Sequence, residues 1–165
     1  AGHKVIGKNE LIGFDTDVVG CHGYYTDFSR TFHSGPAEPT EQQRELYKTA
    51  YEQICHNVSI LRPGMSFREY AEKAWDLPEK YYANRYFLSA HGNGMTGEYP
   101  YLYHWADFPA AGYDGIIEPN MTICVESYIG EEGGREGVKL EEQLLITENG
   151  TEMLSNYPFE EDLLR

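Results

Sequence analysis

Two pairs of carboxylates in this sequence are spaced so that like charges would meet face to face. Asp15 and Asp17 lie two residues apart, and alternate residues of a strand share a face. The midpoint of Asp17 and Asp27 is residue 22, inside the turn-forming run Gly20-Cys21-His22-Gly23, so a hairpin turning there sets them opposite each other. The midpoint of Glu126 and Glu141 falls between Gly133 and Gly134, which defines a second cross-strand pair. Opposed like charges destabilise a sheet, and clustered carboxylates do not all stay ionised without compensation. No density of Lys or Arg near these positions is enough to neutralise all of them. The four acids together therefore point to a shared positive partner, and hard oxygen donors point to a divalent metal ion. His91, within Ser89-Ala90-His91-Gly92-Asn93-Gly94, is a candidate imidazole ligand on an exposed turn, with room beside its glycines.

The elements that must position these groups follow from periodicity and punctuation. Leu11, Ile12, Phe14, Val18 and Val19 mark residues 9–19 as a strand, and 24–32 as its return. Thr40 and Gln43 form a capping box before Leu46, Tyr47, Ala50, Ile54, Val58 and Leu61 at helical spacing, and Pro63-Gly64 ends that helix. Ser66 and Glu69 open a shorter helix running to about Trp75, before Pro78. Residues 78–118 are aromatic-rich and irregular, with no element predicted. Residues 121–129 and 138–146 read as two strands around Gly133-Gly134, and the tail from 149 as a turn and an acidic end. With no internal linker, the chain reads as a single domain over 1–165.

Composition narrows the partners. The chain has 165 residues, 41% of them hydrophobic and 24% charged, enough for one ordinary core. Net charge is −14, from 13 basic and 27 acidic side chains, which argues against nucleic acid and anionic membranes. No stretch is long and apolar enough to read as a transmembrane helix, and the first twenty residues carry no secretory pattern. Three cysteines, odd and widely spaced, predict a reducing, cytoplasmic setting rather than disulfides. The chain opens at Ala1 and runs almost directly into a strand, so its natural start is expected upstream.

Fourteen tyrosines are many for this length. Tyr99, Tyr101, Tyr103 and Trp105 cluster in sequence, with Tyr81, Tyr82 and Tyr86 just before them. Ring faces of this kind hold sulfonium or quaternary ammonium groups, at about 0.5–2 kcal/mol per contact. The same pattern also serves as core or as a dimer interface.

The motifs resemble those of the pita-bread metalloenzymes, the group of creatinase, prolidase and methionine aminopeptidase. Phe14-Asp15-Thr16-Asp17 followed by Gly23-Tyr24-Tyr25-Thr26-Asp27-Phe28-Ser29-Arg30-Thr31 is similar to the family's first signature. His91-Gly92-Asn93-Gly94, Glu126 after Met121-Thr122-Ile123-Cys124-Val125, and Gly137-Val138-Lys139-Leu140-Glu141 resemble the remaining three. The resemblance spans residues 14–146. It implies an α+β pita-bread fold, a curved antiparallel sheet covered by helices, lacking its N-terminal segment, and a two-metal site with Asp17, Asp27, His91, Glu126 and Glu141 as ligands. It also implies a homodimer acting on a small-molecule substrate.

Departures from the pattern point to a branch. Asp27 follows Asp17 by ten residues and Asp15 by twelve, where family peptidases use the spacing in between. This Phe-Asp-Thr-Asp variant, with Asp15 as an additional ligand, is similar to the dimethylsulfoniopropionate lyase branch. Peptidases place a second histidine seven residues after the His ligand, and here that position is Glu98. The lyase branch places its base, an aspartate, just before this Glu-Tyr-Pro, where this chain has Gly97, so either Glu98, the candidate catalytic residue, or a metal-bound hydroxide takes over as base, or the substrate differs. Lys139 stands where the last motif usually has arginine. The resemblance thus implies a metal-dependent lyase that cleaves an onium carboxylate, for which the clustered rings of Tyr99, Tyr101, Tyr103 and Trp105 are the candidate substrate cage. An Xaa-Pro metallohydrolase and a non-catalytic binding module are the alternatives. Iron is favoured as the metal, with manganese, cobalt and zinc compatible.

Overall fold

A computed structural model describes residues 3–165. The first ribbon is one antiparallel hairpin interrupted halfway. Strand β1 (Leu11–Asp15) pairs with β4 (Ser29–His33), and β2 (Val18–Val19) with β3 (Tyr25–Thr26). The register Leu11↔His33 continues as Val18↔Thr26 on either side of the gap. The interruption at residues 16–17 and 27–28 is closed by a side chain. Thr16 Oγ1 donates to the Phe28 carbonyl at 2.9 Å and accepts from the Phe28 amide at 3.3 Å, replacing the missing ladder bonds. The continuous strand expected over 9–19 is therefore two strands, and the gap falls at Asp17 and Asp27. His22 and Gly23 make the turn at positive φ (68° and 80°).

The main sheet has five antiparallel strands in the order β6 (Tyr101–Tyr103), β5 (Leu88–Asn93), β7 (Thr122–Gly130), β8 (Gly137–Thr147) and β9 (Gly150–Met153). Helix α1 (Glu41–Ile60) opens with the reciprocal Thr40–Gln43 box. It lays Leu46, Tyr47, Ala50 and Ile54 on the sheet, packing against β7 and β8. Burying each large apolar side chain there contributes about 1.5–3 kcal/mol. Ser127 on β7 donates to the buried side-chain carbonyl of Gln53 on α1 at 2.5 Å, a polar contact inside this layer. Helix α2 (Phe67–Lys73), capped by Ser66, stops two residues short of the expected end. Two further short helices, α3 (Phe108–Ala111) and α4 (Glu161–Leu164), complete the chain.

Residues 78–118, expected to hold no element, contain two strands and α3, and the tail holds β9 and α4. The reason is chemical. Leu88-Ser89-Ala90-His91-Gly92-Asn93 has no alternation and no β-branched residue, so nothing local marks it as a strand. Pairing on both sides makes it one, and all six residues are buried. Gly92 is required there: a Cβ would stand 2.2 Å from the Tyr99 carbonyl oxygen and from Pro100 Cδ. His91 is thus on a buried strand rather than the exposed turn expected.

The hairpin docks beside β8. Thr31 Oγ1 donates to the Lys139 carbonyl at 2.8 Å and accepts from its amide at 3.1 Å. Arg30, 2% exposed, staples three segments together. It donates to the Ser29 carbonyl, to the Glu141 carbonyl (2.8 Å), to Glu142 Oε1 (2.6 Å) and to the Tyr157 and Pro158 carbonyls, with its guanidinium 4.2 Å from the Phe159 ring centre.

Candidate metal centre

The docking brings the two carboxylate pairs to one place. Glu126 and Glu141 are register partners on β7 and β8, both buried. His91, on the neighbouring strand β5, turns Nε2 toward them: 3.2 Å from Glu141 Oε1, 3.8 Å from Glu126 Oε1 and 3.8 Å from Asp27 Oδ2. Its other nitrogen, Nδ1, lies 3.1 Å from the Gly92 carbonyl, which fixes the ring and leaves Nε2 to face the acids. Asp27, 4% exposed, belongs to two groups of donor atoms, each lying within 4.8 Å of one another. The inner group is Asp27, His91, Cys124 and Glu141, and the outer is Asp15, Asp17 and Asp27. Ser29 ties the two together, its single hydroxyl proton lying between Asp15 Oδ1, at 2.7 Å from Oγ, and Glu141 Oε2, at 2.9 Å. All six residues singled out from the sequence as ligands therefore meet in one cluster.

One neighbour was missed. Lys139 Nζ lies 2.5 Å from Asp15 Oδ2, 2.9 Å from Glu126 Oε2 and 3.4 Å from Glu141 Oε2. The sequence argument found no cationic density able to neutralise the acids, and one lysine does touch three of them. Its signal was present: Lys139 and Glu141 are alternate residues of β8 and share a face. Even so, five carboxylates face one lysine and one histidine.

Electrostatics record that imbalance. Burial, followed by the charges of Glu141 and Asp17, pushes Asp27 up to about 9. Burial and Glu141 push Glu126 up to about 7, against Lys139. Burial opposes charge on His91, but its hydrogen bond to Glu141 and that carboxylate's charge outweigh it and raise the imidazole to about 9. Asp15 is held low despite burial, by Lys139 and Ser29. Two buried carboxylate oxygens, Asp27 Oδ1 and Glu126 Oε1, have no hydrogen-bond partner among the described residues. Leaving such atoms bare costs about 1–3 kcal/mol each, so a ligand belongs there. Oxygen donors with one imidazole fit divalent transition metals.

The candidate base and the aromatic cluster lie beside this centre. Both oxygens of Glu98 accept from the Tyr86 hydroxyl, at 3.1 and 3.0 Å. The Tyr86 ring centre is 6.0 Å from Lys139 Nζ, which places Glu98's partner beside the lysine that touches the carboxylates. Burial and the nearby Glu126 push that phenol up. Tyr101 is the register partner of His91, so their side chains share a face. Tyr99, Tyr101 and Tyr103 form a continuous aromatic patch with Phe87 and Tyr113, at centroid separations of 6.0–6.4 Å. Trp105 has left it. Past the end of β6 its ring stacks on Phe108 and lines a cavity of about 120 Å³ with Ala71, Trp75 and Tyr82. Sequence proximity put Trp105 with the tyrosines, and the chain's turn toward α3 separates it. Phe87 and Tyr113, which sequence reasoning passed over, take part instead.

A histidine–carboxylate cluster with two overlapping donor groups, on an antiparallel sheet backed by helices, defines a metalloenzyme of the pita-bread class. The chain belongs to the Metallopeptidase family M24, which it matches over residues 1–148. The enzymes of that family are dinuclear metalloenzymes. The chain is 37% identical over 163 residues to the dimethylsulfoniopropionate lyase DddP of Roseovarius nubinhibens and 40% over 164 residues to that of Roseobacter denitrificans. These alignments cover 99% of this chain and 36% of each relative, so the chain spans little more than a third of their length. Its fold matches the prolidase of Pyrococcus furiosus with a TM-score of 0.80 at 28% identity, covering 96% of this chain and 44% of that one. No described helix is long and apolar enough to cross a membrane.

Proposed function

We propose that the protein is a metal-dependent lyase that cleaves dimethylsulfoniopropionate, or a similar onium carboxylate, by β-elimination. Asp15, Asp17, Asp27, His91, Glu126 and Glu141 hold two metal ions, iron by preference, with manganese, cobalt or zinc as substitutes. The observation that carries this reading is Glu98, whose carboxylate is clamped by Tyr86 at the rim of the cluster, with the Tyr101–Tyr103–Phe87 ring faces alongside. The two lyase relatives, matched along nearly the whole chain, support it.

When bound, the metals would supply the positive charge that polarises the substrate carboxylate and acidifies its α-carbon. Glu98 removes the α-proton through a carboxylate oxygen. The electron pair of that C–H bond forms the C=C bond, the C–S bond breaks with its pair to sulfur, and dimethyl sulfide and acrylate are released. The faces of Tyr99, Tyr101 and Tyr103 hold the sulfonium by cation–π attraction of about 0.5–2 kcal/mol per ring. Tyr86 keeps Glu98 in register for the proton, and Lys139 balances charge at Asp15 and Glu126. Residues 1–165 act as one domain, in a cytoplasmic homodimer.

The match to the prolidase fold favours an Xaa-Pro metallohydrolase as the second reading, with Glu98 in place of the second histidine. The deciding experiment loads the purified protein with ferrous iron and offers dimethylsulfoniopropionate and an Xaa-Pro dipeptide in parallel. Sulfide release that Glu98→Gln abolishes, with bound metal unchanged, supports the lyase. Dipeptide cleavage alone moves the assignment to the hydrolase, and neither activity with two metals bound moves it to a binding module.

A further inference from the structure

The inner donor group contains an atom that the motifs give no ligand role, the sulfur of Cys124. On β7 the neighbours Ile123 and Val125 face the apolar core under α1, so Cys124 and Glu126 face the other side together. Across the ladders Cys124 sits opposite His91 on β5 and Gln143 on β8. The cysteine is fully buried, yet its surroundings are those of the metal centre. Its sulfur has two polar contacts, donating to the Asp27 carbonyl at 3.4 Å and accepting from Asn93 Nδ2 at 3.5 Å.

Sγ and the ligand atoms of Asp27, His91 and Glu141 all lie within 4.8 Å of one another. Two donors on one transition metal stand at most about 4.5 Å apart, given bonds of about 2.3 Å to sulfur and 2.0–2.2 Å to nitrogen or oxygen. The group is therefore close enough to converge on one cation once its side chains draw in toward it. Asp27 Oδ1, buried and without a hydrogen-bond partner among the described residues, belongs to the residue that both groups share and offers a free donor atom to a cation there.

We propose that Cys124 is a further donor to the inner metal position, alongside Asp27, His91 and Glu141. The two positions are then chemically unequal. The inner one, with sulfur and imidazole, takes a thiophilic transition metal, whereas the outer one, built from Asp15, Asp17 and Asp27, is all oxygen and accepts harder ions. A cation that binds the sulfur takes it as thiolate, and the thiol proton leaves to solvent. The inference rests on the proposed two-metal reading of this centre, and its test separates the two.

Cobalt is the probe, because a thiolate bound to Co²⁺ adds a charge-transfer band in the near ultraviolet that oxygen and nitrogen donors do not. Cys21 and Cys55 are exposed and would bind cobalt adventitiously, so both are first replaced by serine. Cobalt is then added to the metal-free protein in steps, with bound metal counted by elemental analysis. The expected result is a charge-transfer band that grows with the first equivalent bound and is absent from Cys124→Ser and Cys124→Ala while cobalt still binds. Two bound cobalt ions without the band would overturn the sulfur assignment and leave the metal centre standing. No bound cobalt would overturn both. Should the Cys124 variants not fold, the ¹¹³Cd resonance of the protein with Cys21 and Cys55 replaced by serine decides: a downfield shift into the sulfur-ligand range supports the assignment, and a position among oxygen and nitrogen sites refutes it.

Discussion

Arg30→Lys tests whether the hairpin's attachment to β8 is what builds the centre. Arg30 spreads its donors over Glu142, the backbone carbonyls of Ser29, Glu141, Tyr157 and Pro158, and the face of Phe159. Lysine keeps the charge but brings one nitrogen with three protons in place of a planar fork. If it retains Glu142, at least one buried carbonyl loses its partner and the stacked contact with Phe159 goes. An unsatisfied buried acceptor costs about 1–3 kcal/mol, and the charge-assisted geometry and cation–π contact add to that, giving about 3 kcal/mol in all. For a domain of this size that lowers the melting temperature by roughly 6–12 °C. The adjacent Ser29 holds both Asp15 and Glu141, so a loosened β4 should also weaken metal binding by roughly tenfold, the usual scale for disturbing residues behind the ligands. Thermal melts of metal-free and metal-loaded protein, with a competitive chelator titration, read both effects. A variant within 1 kcal/mol of the parent, with unchanged metal affinity, would show that other contacts hold the hairpin and would refute the reasoning.

Three further outcomes follow from the same geometry. Asp27, Glu126 and His91 all have raised proton affinities in the folded, metal-free protein, so their stabilising protons are present at low pH and are lost as pH climbs from about 4 through 7 to 9. Metal-free protein should therefore melt lower at pH 8.5 than at pH 5.5, and the stabilisation by added metal should grow over that range; equal or rising metal-free stability would contradict this. Tyr86→Phe removes the only hydrogen-bond partner recorded for Glu98 among the described residues, and should lower kcat for sulfide release about tenfold with KM little changed, a ratio steady-state kinetics reads directly. Gly92→Ala places a Cβ 2.2 Å from the Tyr99 carbonyl oxygen, so it should cost roughly 3 kcal/mol or more and displace the Glu98 loop. Urea unfolding of this variant at parental stability would mean that the loop moves freely.

Pairing across the two hairpins was legible in the chain itself, because antiparallel register keeps the sum of partner numbers constant. Once Gly20–Gly23 and Gly133-Gly134 are read as turns, Asp17 falls opposite Asp27 and Glu126 opposite Glu141. The hairpin registers of the structure follow the same sums. Local capping set the start of α1 in the same way, through the Thr40–Gln43 pair. Nothing local, in contrast, marks Leu88–Asn93 as a strand, since small and polar residues acquire that conformation only by being paired on both edges. Burial of His91, the arrival of Lys139 and Cys124 among the acids, and the clamp of Tyr86 on Glu98 depend likewise on which strands lie side by side. Trp105 is the converse case, adjacent in sequence to the tyrosines but carried to another surface once β6 ends. The sequence alone thus determined which acids face each other within each hairpin, because that is a matter of local turn arithmetic. How the two hairpins and β5 come together at the one centre that the motif resemblance implied was decided only by the tertiary structure, because docking depends on Arg30 and Thr31, whose contacts lie more than a hundred residues apart along the chain.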